Sequence, residues 1–257
     1  MKRVLVTGAD GQLGKCLQKI SKKYPDLNFD FMGAHGFDIT KADQVEAVFN
    51  SETYDYCINC AGYTNVEQAE KTPEKAFAVN SEGVRLIALA CRPRGIIMVH
   101  ISTDYVFDGE KEGPYATTDK PNPINEYGKS KLAGEQHVQK ILDAYYIIRT
   151  SWLYSEFGHN FYKSILAKAR KGETLYITDA EKGCPTNANH LAAYLLDTIL
   201  DGKKEYGVHH FTDGEAMSWY EFARSILKEN QLEDQIRLVK DSNYRTFAKR
   251  PKNSVLL

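Results

Sequence analysis

The chain has no excess of either charge, no apolar run long enough to cross a membrane and no paired arrangement of its few cysteines, and each lack removes a class of function. Its 33 basic and 34 acidic side chains nearly cancel, so nothing in the balance draws it to nucleic acid or to an acidic membrane surface. No segment approaches the ~20 apolar residues of a transmembrane helix, and the N-terminus enters a strand pattern without the layout of a signal peptide. A cytoplasmic location is expected. Cys16, Cys57, Cys60, Cys91 and Cys184 form no disulfide framework, and their odd number favours reduced thiols. Cys57-Ile58-Asn59-Cys60 has the spacing of a redox or zinc motif. It closes the strand-like run Tyr54 to Ile58, however, where residues three apart face opposite sides, and no second Cys or His pair supplies further ligands. Buried free thiols and no metal are expected. Repeats, low-complexity tracts and flexible linkers are also missing. With 257 residues, 42% of them hydrophobic and 26% charged, the chain can bury a substantial core as one domain or two unequal lobes.

What is present begins with the strand-like run Lys2 to Thr7, which leads directly into Gly8-Ala9-Asp10-Gly11-Gln12-Leu13-Gly14. Leu13, Leu17 and Ile20 then fall at helical spacing. Strand, glycine turn and helix N-terminus are the parts of a dinucleotide site: glycines let the backbone approach a pyrophosphate, whose charge sits at the positive end of the helix. Tyr127 and Lys131, four apart in a helical stretch, share one face. A phenol titrating near about 10 is a poor proton partner at neutral pH. A cation beside it favours the phenolate and is expected to bring it toward the working range.

Strands near Lys2–Thr7, Phe29–Gly33, Tyr54–Asn59, Ile96–Ser102 and Tyr145–Arg149 alternate with helices near Leu13–Ser21, Ala42–Phe49, Pro73–Cys91 and Tyr127–Leu142. That rhythm predicts an α/β fold, a Rossmann-type doubly wound parallel sheet, with ligands at the carboxyl ends of its strands. Residues 1–150 are expected to form the dinucleotide-binding domain, and residues 151–257 mainly a smaller C-terminal substrate-binding lobe. The helix near 187–200 is expected to pack back on the sheet. A stripe of Trp219, Phe222, Ala223, Ile226 and Leu227 reads as core of the second lobe.

Three strand ends carry further candidates. Ser102, Thr103 and Asp104 follow a buried strand, so Thr103 can reach a substrate carbonyl beside Tyr127, whereas Ser102 reads more simply as satisfying loop backbone. Ala61, Gly62 and Tyr63 are small or ring-bearing residues where a nicotinamide ribose can lie close to backbone. Asp38 and Ile39 offer a carboxylate and an apolar side chain to an adenine, or else Asp38 or Thr40 caps the helix at Ala42. Met32-Gly33-Ala34-His35-Gly36, at the end of the second strand, contains neither an acidic residue for a ribose 2′-hydroxyl nor an Arg for a 2′-phosphate. The cofactor is expected to be NADH or NADPH, leaning toward NADH or dual use.

The glycine spacing and the Tyr127–Lys131 pair are similar to those of the short-chain dehydrogenase/reductase superfamily. Asp38-Ile39-Thr40, Ala61-Gly62-Tyr63-Thr64, Ser102-Thr103-Asp104-Tyr105-Val106-Phe107-Asp108-Gly109, Arg149-Thr150-Ser151-Trp152-Leu153-Tyr154, Gly183-Cys184-Pro185-Thr186 and Arg250-Pro251-Lys252-Asn253-Ser254 narrow this further. Across nearly its whole length the chain resembles the dTDP-4-dehydrorhamnose reductase family. The resemblance implies hydride delivery to C4 of a 4-keto nucleotide sugar, with Tyr127 supplying the proton, Lys131 holding the cofactor ribose and Thr103 and Asp104 contacting the sugar. The cofactor would lie along Gly8, Asp10, Gly11, Gln12, Leu13, Gly14, Asp38, Ile39, Ala61, Gly62, Tyr63 and Ser102. It also implies that Trp152 packs on or bonds to the substrate, plain core packing being the alternative, and that Arg250 lies near the diphosphate, a surface ion pair being the alternative. Two departures stand out: Ala180-Glu181-Lys182 replaces the family's usual Asp-Gln, and family members usually continue beyond the point reached by Leu257, so a less complete substrate lobe is expected. A nucleotide-sugar 4,6-dehydratase would carry Glu where this chain has Tyr105. A 4-epimerase would share Thr103, Tyr127 and Lys131, and a regulatory subunit like that of methionine adenosyltransferase would share the fold. A homodimer is compatible with the chain.

Overall fold

The computed structural model describes residues 1–243 and 245–257. Five apolar runs become parallel neighbours: β1 (Lys2–Thr7), β2 (Leu27–Met32), β3 (Tyr56–Asn59), β4 (Ile97–Thr103) and β5 (Tyr145–Thr150). A sixth strand, Gly207–His210, pairs with β5. The spatial order is Gly207–His210, β5, β4, β3, β1, β2, every pair parallel. The chain therefore steps outward from β1 to β2, then crosses back to lay β3 on the other side of β1. The connections leaving β1 and β3 diverge, opening a crevice at their carboxyl ends.

Both faces of this sheet are covered, which is why its inner strands β1, β3 and β5 carry continuous apolar runs, whereas the edge strand β2 alternates. Val4, Leu5 and Val6 are each fully buried. Val4 and Val6 face a core shared with Leu13 and Leu17 of α1 (Gln12–Ile20) and with Leu191 and Leu195 of the helix Ala188–Asp201. Leu5, one step along, faces the opposite core with Val45 and Phe49 of α2 (Ala42–Ser51) and Ile87 and Ala88 of the helix Val84–Cys91. A third cluster joins Ile165, Phe222 and Ile226 across the helices Phe161–Ala169 and Trp219–Glu229. A reciprocal Ser218–Glu221 capping box opens the latter helix. All five cysteines are free, four of them buried and Cys60 half-buried. No helix among the described residues is long and apolar enough to cross a membrane.

One element departs from expectation. The helix anticipated over Pro73–Cys91 is interrupted by a π-helical turn at Ala78–Gly83 between Pro73–Phe77 and Val84–Cys91. Asn80, fully buried in that turn, explains the widening. Its Oδ1 accepts from Tyr63 N at 2.8 Å, while its Nδ2 donates to Tyr63 O at 2.9 Å and Ser130 Oγ at 3.0 Å. Three hydrogen bonds tie the loop after β3 to the helix Glu126–Ile141, and an apolar stripe gives no hint of them. The same helix packs backbone to backbone against the turn, since a Cβ at Gly134 would strike the carbonyl oxygen of Asn80. Gly134→Ala is expected to lower stability by about 1–3 kcal/mol, read as a reduced urea midpoint. An unchanged midpoint would contradict this close approach.

Candidate active site

Two contiguous cavities follow the carboxyl ends of the strands. One of about 440 Å³ is lined by Gly8, Asp10, Ala34, Asp38, Ile39 and Tyr63, and one of about 590 Å³ by Gln12, Leu13, Ser102, Thr103, Tyr127 and Lys131, among others. They share Gly11, Cys60, Ala61 and Gly62. The turn after β1 is shaped by close contacts: Gly8 has φ +64°, and a Cβ there would lie 2.5 Å from Ala61 N. A Cβ at Gly14 would lie 2.6 Å from Ala9. Helix α1 starts with no side-chain cap at Gly11 and no acidic residue in its first turn. Its first N–H groups therefore remain free for an anion. Two adjoining cavities that meet at an uncapped helix end fit an adenine dinucleotide, which Gly8, Gly11, Gln12 and Ala61 would hold.

Asp38 lines the smaller cavity and is engaged within its own turn. Its Oδ1 accepts from Thr40 N at 2.9 Å and Thr40 Oγ1 at 2.7 Å, closing its own turn, and these bonds hold the carboxyl below its usual range. Helix α2 is capped by no side chain, so the capping alternative is not realised. Ile39 is buried against Gly83, with only its edge toward the groove.

The helix Glu126–Ile141 delivers Tyr127 and Lys131 to the larger cavity. Asn125 caps it, accepting from Gly128 N at 2.7 Å and donating to Lys249 O at 2.9 Å. Lys131 Nζ donates to Ile101 O at 2.6 Å. Burial lowers this ammonium to about 8, against an opposing pull from Glu135. Tyr127 does not move in the anticipated direction. Its phenol is pushed up to about 12, first by burial and then by the Asp104 charge, while the Thr103 hydroxyl draws it back. With Lys131 engaged at Ile101 O, desolvation of the phenolate dominates. Thr103 Oγ1 donates to Asp104 Oδ1 at 2.9 Å. Ser102 lines the cavity, but its hydroxyl is turned to Glu135 Oε1, so it bonds a buried side-chain carboxylate and not the loop backbone of the simpler reading.

The far wall comes from the second half of the chain. Trp152 holds φ +47°, a region that only glycine enters without strain. Its indole lies on Gly183, where a Cβ would come within 2.5 Å. It also stacks on Trp219 with ring centroids 3.5 Å apart and planes 6° from parallel. Trp219 was expected in the core stripe. Phe222, Ala223, Ile226 and Leu227 are indeed buried there, but Trp219 lines a third cavity of about 390 Å³ with Phe161, Lys168, Tyr176 and Arg250. Glu181 accepts from Trp219 Nε1 at 2.9 Å, which gives the departure from Asp-Gln a structural task. Arg250 pairs with Glu67 at 3.2 Å while lining this cavity. Asn160, also overlooked in the sequence, donates to Gln12 Oε1 at 2.8 Å and caps Phe161–Ala169. An Asn before a helical apolar run was the available signal.

With this geometry in view, the comparisons are specific. Residues 1–257 match the model of the RmlD substrate binding domain family. The chain belongs to that family. A dTDP-4-dehydrorhamnose reductase of Aggregatibacter actinomycetemcomitans is 38% identical over 269 residues, covering 100% of this chain and 90% of the relative. A dTDP-4-keto-6-deoxy-D-glucose reductase of Streptomyces niveus is 39% identical over 229 residues, covering 88% and 78%. The crystal structure of the Bacillus anthracis dTDP-4-dehydrorhamnose reductase, in complex with NADP, aligns with a TM-score of 0.94 at 36% identity over 100% of this chain and 91% of that one.

This RmlD-family site also contains a carboxyl whose pH response is testable. Burial raises Asp104 from 3.8 to about 7, against the pull of the Ser254 and Thr103 hydroxyls. A folded value above the unfolded one contributes stability that is complete below about pH 4 and lost as pH rises through about 7. Asp104→Asn keeps the shape but cannot ionise. Relative to the parent, it is expected to gain about 2 kcal/mol in urea unfolding between pH 5 and pH 8. Parallel pH profiles for the two proteins would show that Asp104 ionises unhindered.

Proposed function

We propose that this chain reduces the C4 keto group of dTDP-4-dehydro-L-rhamnose to give dTDP-L-rhamnose, the last step of dTDP-rhamnose formation, using NADH or NADPH. The observation that carries the proposal is the convergence of Thr103, Tyr127 and Lys131 where a dinucleotide-sized groove meets the cavity walled by Trp152. The family's similar relatives bear that reductase name. When bound, the reduced dinucleotide supplies the hydride.

The protein supplies the rest. Tyr127, protonated throughout the neutral range, donates its proton to the C4 oxygen as negative charge develops there. Thr103 Oγ1, whose hydroxyl donates to Asp104 Oδ1 at 2.9 Å here, turns its proton to the same oxygen and orients it. Lys131, protonated below about pH 8, holds ribose hydroxyls and stabilises the phenolate left after transfer, which solvent reprotonates. Asp104 and Trp152 take the sugar. The aromatic cavity with Lys168 and Arg250 takes the nucleotide diphosphate, a guanidinium fork and an ammonium being suited to phosphate oxygens. In this division the sheet domain, residues 1–150 with the returning helix Ala188–Asp201 and strand Gly207–His210, holds the cofactor, the rest of residues 151–257 mainly holds the substrate, and the free thiols suit a cytoplasmic enzyme.

A dehydratase is disfavoured because Tyr105, with its ring edge on Tyr127 at 5.9 Å between centroids, stands where elimination needs a carboxylate. A 4-epimerase regenerates its cofactor, so net consumption of NADH or NADPH separates the two. The Streptomyces niveus relative favours one second reading, a reductase of dTDP-4-keto-6-deoxy-D-glucose, which acts without prior inversion of the sugar. Loss of nicotinamide absorbance with each sugar as sole acceptor decides between them.

Tyr127→Phe is expected to lower kcat by roughly 10²–10⁴-fold with little change in the dissociation constant for the cofactor. Near-normal turnover would remove Tyr127 from the proton step. Lys131→Met is expected to weaken both turnover and cofactor binding. Unaltered cofactor affinity would exclude the ribose contact.

A further inference from the structure

The adenosine end of the groove contains an arrangement that the strand pattern alone does not suggest. In doubly wound folds a carboxylate at the end of the second strand usually engages the ribose hydroxyls. Here that strand ends in Met32 and is followed by Gly33 and Ala34, which have nothing to offer. The turn after β1 is drawn onto this point, with Ala9 N donating to Met32 O at 3.0 Å. The next side chain, Asp10, then lies directly over Gly33. A Cβ at Gly33 would collide with the carboxylate, Oδ2 being the first atom met. Asp10 is exposed to the groove and accepts no hydrogen bond from the described residues. Asp38, the other carboxylate of this cavity, is engaged by Thr40. No lysine or arginine among the described residues lines the cavity.

We propose that Asp10 determines cofactor choice: its carboxylate, seated in the space that Gly33 leaves, accepts from the adenosine ribose hydroxyls and repels a 2′-phosphate, so that NADH binds in preference to NADPH. The inference rests on the reading of this groove as the dinucleotide site. A ribose 2′-hydroxyl can donate to a carboxylate, whereas a 2′-phosphate carries about −1.5 to −2 charges and only acceptor oxygens once ionised. With no cation on the cavity wall, that charge meets Asp10 uncompensated.

The test is direct binding of NADH and of NADPH, each titrated into the full chain by calorimetry, for the parent, Asp10→Asn and Gly33→Ala. The parent is expected to bind NADH at least tenfold more tightly than NADPH. Asp10→Asn is expected to narrow that ratio at least fivefold, mainly through tighter NADPH binding. Gly33→Ala, which displaces the carboxylate without removing it, is expected to shift the ratio in the same direction. If both dinucleotides bind the parent and neither variant moves the ratio, Asp10 does not select the cofactor, while the proposed function stands. If the parent binds neither dinucleotide, the reading of the groove fails and the inference falls with it.

Discussion

A buried ion pair between Glu135 and Arg149 holds the helix of Tyr127 and Lys131 on the sheet, and the geometry of the site depends on it. Glu135 is 1% exposed and Arg149 3%. Arg149 donates from Nε at 3.0 Å to one carboxylate oxygen and from Nη2 at 2.7 Å to the other, and Ser102 adds a hydroxyl from the neighbouring strand. The guanidinium also lies 5.2 Å from the centre of the Phe107 ring. A buried pair of this kind gains little over apolar packing, but losing one partner strands a charge at a cost of about 3–5 kcal/mol. Its contribution is placement. Glu135 lies one helical turn beyond Lys131, so the bond that anchors it to β5 also sets the height of Lys131 against Ile101 O. Asn80 fixes the other side of the same helix through Ser130, leaving little freedom to rotate or slide.

Burial then sets the electrostatics of the site with one sign of effect throughout. It raises Tyr127 and Asp104 and lowers Lys131, each toward the neutral form. A neutral phenol beside a ketone is poised to give a proton, not to take one, which suits reduction better than oxidation. The low dielectric that produces these shifts also strengthens the hydrogen bond from Thr103 Oγ1 to Asp104 Oδ1. Across the cleft, the Trp152–Trp219 stack bridges the reaction cavity, lined by Trp152, and the aromatic cavity, lined by Trp219, which also share His159 and Asn160. The strained backbone of Trp152 is sustained by that stack and by the bare face of Gly183.

Much was legible in advance, for identifiable reasons. β1 has the bounds that its apolar run indicated, because a strand covered on both faces must be apolar without interruption. Tyr127 and Lys131 share a cavity because i and i+4 share a helical face. Other features resisted reading because each is a relation between distant segments. Asn80 widens its helix to reach Tyr63 and Ser130, 17 and 50 residues away. Trp219 packs against the stripe it was read into and also stacks on Trp152, 67 residues away, at the wall of a cavity. The phenol of Tyr127 was expected to fall under the influence of Lys131 and instead rises, since the degree of burial cannot be counted from spacing.

Periodicity and glycine placement were therefore enough to determine the layers, the strand-turn-helix that awaits a pyrophosphate and the helix face that carries the reacting groups. These are local properties of the backbone, governed by the two-residue and 3.6-residue repeats. The tertiary structure alone decided which carboxylate of the smaller cavity is left unengaged, which ring stacks on Trp152 and which charges are stripped of water. Those depend on where chain segments far apart in sequence come into contact, and a one-dimensional pattern contains no distances.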